Sequence, residues 1–234
     1  MSSRKELFFS SENTDPQVLK KSWRELIAQL STNFDLQVAD NVFELLARAY
    51  TDPTRYHHSL RHIEDMLEFA SVFAKHLKDS KSVIIAIWFH DLAYDTKSNT
   101  NEEDSAQLAF EMLTELGIPS EIIAKVVTYI LATKKHSLDI DSSNEDLAYF
   151  LDFDMAILGA SAERYDRYAS DIAQEFAWAM DFEGKDVFTP ARIQFIQHTL
   201  QRPIFKTQVM SEFETQARFN LSRELERLMK SKST

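Results

Sequence analysis

A chain of 234 residues, 44% hydrophobic and 27% charged, with 3 Gly, 5 Pro and no Cys, has ample material for a large core and too little Gly and Pro for a disordered or repetitive protein. The absence of cysteine excludes a disulfide scaffold, a zinc ribbon, an iron–sulfur site and a thiol nucleophile, so any metal must be held by histidines and carboxylates. With 26 Lys+Arg against 37 Asp+Glu, the net charge of −11 argues against capture of a nucleic-acid polymer or an anionic membrane, while small anions can still bind locally. The first residues, MSSRKELFFSSENTD, lack the apolar core of a signal peptide, and the longest apolar run, Val83 to Phe89, is far short of the roughly 20 residues that span a bilayer. A cytoplasmic protein is expected.

The pattern is helical nearly throughout, with no sustained strand-like alternation and no internal repeat, which predicts an all-α fold. Asp15-Pro16 reads as a cap with proline at the first helical position, opening a helix over 16–31 with Leu19, Trp23, Leu26, Ile27 and Leu30 on one face. A second helix carries Val38, Val42, Leu45, Leu46 and Ala49 and stops before Asp52-Pro53, leaving 51–58 as a loop. Ile63, Met66, Leu67, Ala70, Phe73 and Leu77 predict a helix from about 59 to 78. The next segment, Ser82 to Phe89, is apolar on every side and is expected to lie inside the molecule. A helix opened by Asn101, Glu102 and Glu103 turns Ala106, Ala109, Met112, Leu113 and Leu116 inward and ends at Gly117. Pro119 starts another, with Ile122, Ile123, Val126, Val127 and Ile130 inward. Residues 133–143 read as a polar loop, and further helices are predicted near 145–159, 161–181, 190–201 and 205–230. No Pro/Gly/Ser-rich linker interrupts the series, so one domain is expected over 15–230, preceded by a tail over 1–14.

The sharpest anomaly is His90-Asp91 at the close of the apolar run. An unpaired buried carboxylate costs several kcal/mol, so Asp91 needs a partner, and a divalent cation would be one. The alternative is a helix cap beside a hydrogen-bonded core histidine. Upstream, Arg55-Tyr-His57-His58-Ser-Leu-Arg-His62 places three of the seven histidines within six residues, and imidazole is the commonest protein ligand for divalent transition metals. His62 lies one position from the inward Ile63 and is expected to face the interior. His57 could contact substrate or metal, whereas His58 reads as a solvated neighbour. Downstream, Leu151-Asp152-Phe-Asp154-Met-Ala-Ile-Leu158 sets two carboxylates in another apolar helix. Residues i and i+2 point about 200° apart, and Ile157 and Leu158 at i+3 and i+4 favour Asp154 as the inward one. Asp152 is then a cap, a support, or the ligand if the helix phase differs.

Taken in order, His62, His90, Asp91 and Asp154, with gaps of 28 and 63 residues, resemble the H…HD…D pattern of the HD superfamily of metal-dependent phosphohydrolases. The stretches RYHHSLRHI (55–63), WFHDLAYD (88–95), NEEDSA (101–106), LATKKH (131–136), LDFDMAILG (151–159) and ETQARFNLSREL (214–225) are similar to one family of predicted HD phosphohydrolases, over about residues 20–225. One departure stands out: where the resemblance leads us to expect an Arg in the helix after Tyr168, the chain reads Ile172-Ala173-Gln174-Glu175. The resemblance implies an all-α HD-type bundle in which His62, His90, Asp91 and Asp154 hold a divalent ion (Mn, Mg, Co, Ni, Zn or Fe). Such a set leaves positions for water and a phosphate oxygen of a small, nucleotide-like substrate.

Further roles are expectations from position. Asp95, four residues after Asp91 and so one helical turn on, is the first candidate to orient or deprotonate the attacking water; Glu102 is the second, although it also suits an acidic first turn. Substrate anions need positive partners, for which Arg55 with His57, and Lys134, Lys135 and His136, are the candidates. Tyr165, Tyr168 and Trp178 read as core or rim aromatics, and His76 and His198 as structural or exposed. The charged 205–230 helix could cap the bundle or pair with a second copy of the chain. Two other readings compete: a non-catalytic HD scaffold that binds a nucleotide and signals, and a di-iron oxygenase, for which His57, His136 and Glu102 would have to supply extra ligands.

Overall fold

The computed structural model describes residues 15–138 and 143–231; the expected tail over 1–14 and part of the 133–143 loop lie outside them. Among the described residues there are eleven α-helices, a few short 3₁₀ turns and no strand, so the all-α class is observed. The chain divides into two compact units, one running to Leu151 and the other from Asp152 onward, with the division inside a helix rather than at a linker.

In the first unit, α1 (Pro16–Leu30) and α2 (Leu36–Tyr50) start on aspartate caps: Asp15 accepts the Gln17 N–H, and Asp35 those of Gln37 and Val38. They pack on each other through the Trp23 indole N–H, which donates to the Ala39 carbonyl at 2.8 Å. Leu45, expected inward, is exposed, because the buried stripe of α2 runs through Ala39, Val42, Phe43, Leu46 and Tyr50. The helix predicted over 59–78 is shorter: α3 (Leu60–Val72) ends at Phe73, and a 3₁₀ turn over Ala74–His76 follows.

The apolar run forms α4 (Ser80–Phe89), with Val83, Ile85, Ala86, Ile87, Trp88 and Phe89 all buried. Trp88 meets Trp23 and Phe43 edge-on at 6.1 and 5.8 Å, which seats α4 against α1 and α2. Beyond it, α5 (Asn101–Glu115) and α6 (Ser120–Thr133) pack side by side, and α4 lies on α6. Gly117 ends α5 as expected: its φ of +67° lets the Ile118 N–H reach back to the Leu113 carbonyl, and a Cβ there would fall 1.6 Å from Asn33 Oδ1. Helix α7 (Glu145–Asp154) carries in its first turn Asp146, whose carboxylate accepts the Lys78 and Asp79 N–H groups and so anchors the approach to α4.

The second unit holds a 3₁₀ turn over Met155–Gly159, α8 (Ala162–Glu175), the short α9 (Ala177–Met180), α10 (Phe188–Leu200) and α11 (Glu214–Ser231). Tyr165 and Tyr168 of α8 are buried, Arg192 of α10 and Glu224 of α11 with them, and Glu224 accepts from both the Tyr165 hydroxyl and the Arg192 guanidinium. Where an arginine was expected after Tyr168, Ile172 and Glu175 are buried positions of α8.

Candidate metal centre

The site begins at the C-terminus of α4, where the last turn of any helix leaves carbonyl oxygens without intrahelical partners. Here nearly all are satisfied. The Ala86 carbonyl takes the His90 N–H, the Ile87 carbonyl faces His90 Nδ1 at 2.9 Å, and the Trp88 carbonyl accepts the Tyr50 hydroxyl at 3.0 Å. The Phe89 carbonyl takes the Leu92 N–H, and the carbonyls of Asp91 and Leu92 accept the two terminal nitrogens of Arg55 at 2.7 and 2.8 Å. The His90–Asp91 corner is thereby fixed by side chains from α2 and the 51–58 loop.

That corner brings three donor atoms together. His62 Nε2 and His90 Nε2 are 3.2 Å apart, His90 Nε2 lies 2.9 Å from Asp91 Oδ2, and His62 Nε2 lies 3.9 Å from it. The His side chains are 4% and 1% exposed, so water does not shield them, whereas Asp91 at 20% keeps an edge toward solvent. The Ile87 carbonyl can only accept, so His90 Nδ1 is the donor of that bond, which leaves His90 Nε2 as the ring atom turned toward Asp91 and His62. A divalent cation is one partner that all three converging atoms could share. A triangle with these sides has its centre about 2.0 Å from each corner, the bond length of a divalent transition metal to imidazole nitrogen or carboxylate oxygen, about 2.0–2.2 Å. The donor set fits a metal ion. It is the group of three or more His and acidic residues among the described residues whose ligand atoms lie within 4.8 Å of one another.

The other expected site residues fall in several places. The His57 ring lies tilted against His62 and edge-on to His58, with ring centres 4.9 Å apart in both cases, and His58, expected to be solvated, lies 4.4 Å from the Tyr94 ring. Arg55 is committed to carbonyls, and its guanidinium lies 5.2 Å from both the Tyr50 and Tyr94 rings. Asp95 is not one helical turn beyond Asp91, because α4 has ended at Phe89; it is exposed, and its Oδ1 takes the Lys97 N–H at 2.8 Å. The segment between is folded back on α5, where Asn101 bonds both the N–H and the carbonyl of Asp95, and Ser105 bonds both of Ala93.

Lys134 clasps α5: its ammonium lies 2.5 Å from Glu103 and 3.8 Å from Glu102, which holds the Glu103 carboxyl below and the Lys134 amine above their ordinary values. Lys135 is exposed, and His136 is half-buried with a positive φ of 44°.

Of the two downstream aspartates, the fully buried one is Asp152, and Asp154, at the last position of α7, is half-buried. The expected phase fails because the helix tightens to a 3₁₀ turn at Met155, so Ile157 and Leu158 do not stand one α-turn above Asp154. Asp152 accepts the Lys206 and Thr207 N–H groups and the Thr207 hydroxyl at 2.7–2.8 Å, although burial still raises its carboxyl above the ordinary range. Both belong to the second unit.

Tyr50 and Tyr94, which flank Arg55, were not picked out from the sequence; the aromatic positions in WFHDLAYD and at the end of α2 were their signal. Compared with family models, with curated proteins and with solved structures, the chain matches none. No helix among the described residues is long and apolar enough to cross a membrane.

Proposed function

We propose that this protein is a divalent-metal-dependent phosphohydrolase acting on a phosphomonoester or pyrophosphate bond of a small, nucleotide-like molecule. The observation that carries the reading is the convergence of His62 Nε2, His90 Nε2 and Asp91 Oδ2 at metal-ligand spacing. The HD-like order of these residues adds the reaction class. A divalent ion, when bound, supplies Lewis acidity to a phosphoryl oxygen and acidity to water. The chain's own contribution is to desolvate two imidazoles, set one carboxylate beside them, and hold all three at the C-terminal, negative end of the α4 dipole, where positive charge is favoured. The His90 Nδ1 bond to Ile87 fixes the ring in the tautomer a ligand requires. His57, ring to ring with His62, is the first candidate to meet a substrate oxygen.

Elemental analysis of the purified protein, followed by phosphate release from a nucleotide panel with Mn, Mg, Co or Ni, tests the reading. One bound ion per chain and metal-dependent release are expected. Release that persists undiminished after removal of all metal overturns it.

A second reading, a metal and nucleotide binder without turnover, is favoured by the engagement of Arg55, Lys134 and Asp95 within the protein. Ligand-induced stabilisation with no phosphate released would select it. The di-iron oxygenase reading requires a second ion's ligands and predicts two irons per chain with oxygen-dependent chemistry.

A further inference from the structure

Arg55 enters the sequence reading as a partner for a substrate phosphate, but its surroundings give it other work. Both terminal guanidinium nitrogens donate to consecutive backbone carbonyls, those of Asp91 and Leu92. The guanidinium plane is also bounded by the Tyr50 and Tyr94 rings at 5.2 Å each. Those carbonyls belong to the residue that supplies the carboxylate of the proposed centre and to its neighbour, just past the point where α4 stops. That turn is tied back to α4 by the Leu92 N–H on the Phe89 carbonyl, and Arg55 is the side chain that holds its two outward carbonyls. Tyr50 does the same for Trp88 one turn earlier, so the end of α2 and the loop after it together determine how the His90–Asp91 corner is presented.

We infer that Arg55 is a positioning residue: it aims the Asp91 carboxylate at the metal by clamping the Asp91 and Leu92 carbonyls, and it does not bind the substrate anion. The inference rests on His62, His90 and Asp91 being metal ligands, and it does not depend on hydrolysis. Lysine cannot replace it, because a single ammonium lacks the rigid fork that reaches two carbonyls at once.

The test uses the full chain and cobalt(II), whose visible spectrum reports the ligand field. Wild type is titrated first; failure to bind cobalt there overturns the proposed function itself. Given binding, Arg55→Ala is expected to raise the cobalt Kd by about 10–100-fold, the range for loss of a group that orients a ligand. Its spectrum should shift toward that of Asp91→Asn, and Arg55→Lys should restore neither. An unchanged Kd and spectrum, even with a lowered melting temperature, would reduce Arg55 to a fold clasp and overturn the inference. So would a raised KM for a phosphate substrate at unchanged cobalt affinity, which makes it a substrate contact. Failure of both variants to fold, seen by circular dichroism, also overturns it, because the clamp would then serve the fold rather than the carboxylate.

Discussion

Each unit of this protein contains a cluster of converging polar side chains, and the two are put together on different principles. In the second unit, Glu224 accepts from Tyr165 and from two nitrogens of Arg192, whose guanidinium also lies 5.2 Å from the Tyr168 ring. Charges and hydrogens match there. Burial opposes the Arg192 charge, yet Tyr168 and Glu224 hold it firmly protonated, and burial beside Glu224 drives the Tyr165 phenol far above its ordinary value. In the first unit, His62 Nε2, His90 Nε2 and Asp91 Oδ2 converge within 3.9 Å of one another, while His90 Nδ1 is turned away to the Ile87 carbonyl. A cluster balanced within itself is a fastener. The cluster of the first unit is instead a set of ligand atoms at a spacing that could hold an ion from outside the chain.

The comparison breaks most decisively at the ligands. Asp91→Ala, His62→Ala and His90→Ala are each expected to abolish metal binding and any phosphate release, as read by equilibrium dialysis and turnover. In chelator, Asp91→Asn should unfold close to wild type while losing metal affinity, since the amide keeps the carboxylate's size and removes its charge. For wild type, adding metal at 100 times its Kd should raise stability by about 2.7 kcal/mol. Retained metal in either histidine variant would shift the assignment to His57.

The balanced cluster predicts the opposite sign. Glu224→Gln leaves the Arg192 charge buried without its partner, both side chains being 7% exposed, and should cost about 3–5 kcal/mol in urea unfolding. A loss below 1 kcal/mol would show that the cluster is not desolvated in solution.

A smaller effect of the same balanced kind is expected at Asp79, the cap of α4. Burial pushes its carboxyl up, but bonds from Lys125, the Ser82 hydroxyl and the Ser82 N–H outweigh it, so the pKa lies below the ordinary value. A carboxyl with a depressed native pKa stabilises the fold above its unfolded pKa of about 4, and that contribution disappears as pH falls through the native value. Asp79→Ala should therefore lower stability at neutral pH and flatten the acid limb below about pH 4. Parallel curves for the two proteins would remove the claim.

The helices and the convergence of His62, His90 and Asp91 were legible in the sequence for the same reason: both depend on neighbours in the chain. The spacing of Ile63 and Met66 placed His62 inward, and the apolar run set His90-Asp91 at its end. Helix ends set by hydrogen bonds were not legible. Neither Gly nor Pro marks the change to 3₁₀ geometry after Phe73 or at Met155, and the second of these leaves Asp152 rather than Asp154 the buried one. Nor can a sequence show that a cation is already engaged: Arg55 is spent on carbonyls 36 and 37 residues away and Lys134 on a carboxylate 31 residues away.

The smallest effect is expected where the sequence suggested one of the largest. Asp95 was put forward as a general base because four residues after Asp91 is one helical turn, and general-base assistance is typically worth about 10²–10⁴-fold. The helix stops at Phe89, however, and Asp95 sits exposed in a turn stapled to Asn101, with Oδ1 accepting the Lys97 N–H. Asparagine offers the same acceptor to that N–H. Asp95→Asn should therefore keep its metal, alter stability by no more than about 0.5 kcal/mol, as surface substitutions usually do, and change kcat less than tenfold. Glu102→Gln, measured alongside, separates the two carboxylates, because Glu102 is half-buried and shares Lys134 with Glu103. A hundredfold loss of kcat in Asp95→Asn with metal retained would mean that the 90–100 turn rearranges when substrate binds and brings Asp95 to the water, and the distinction drawn here between ligands and surface carboxylates would have to be redrawn at that turn.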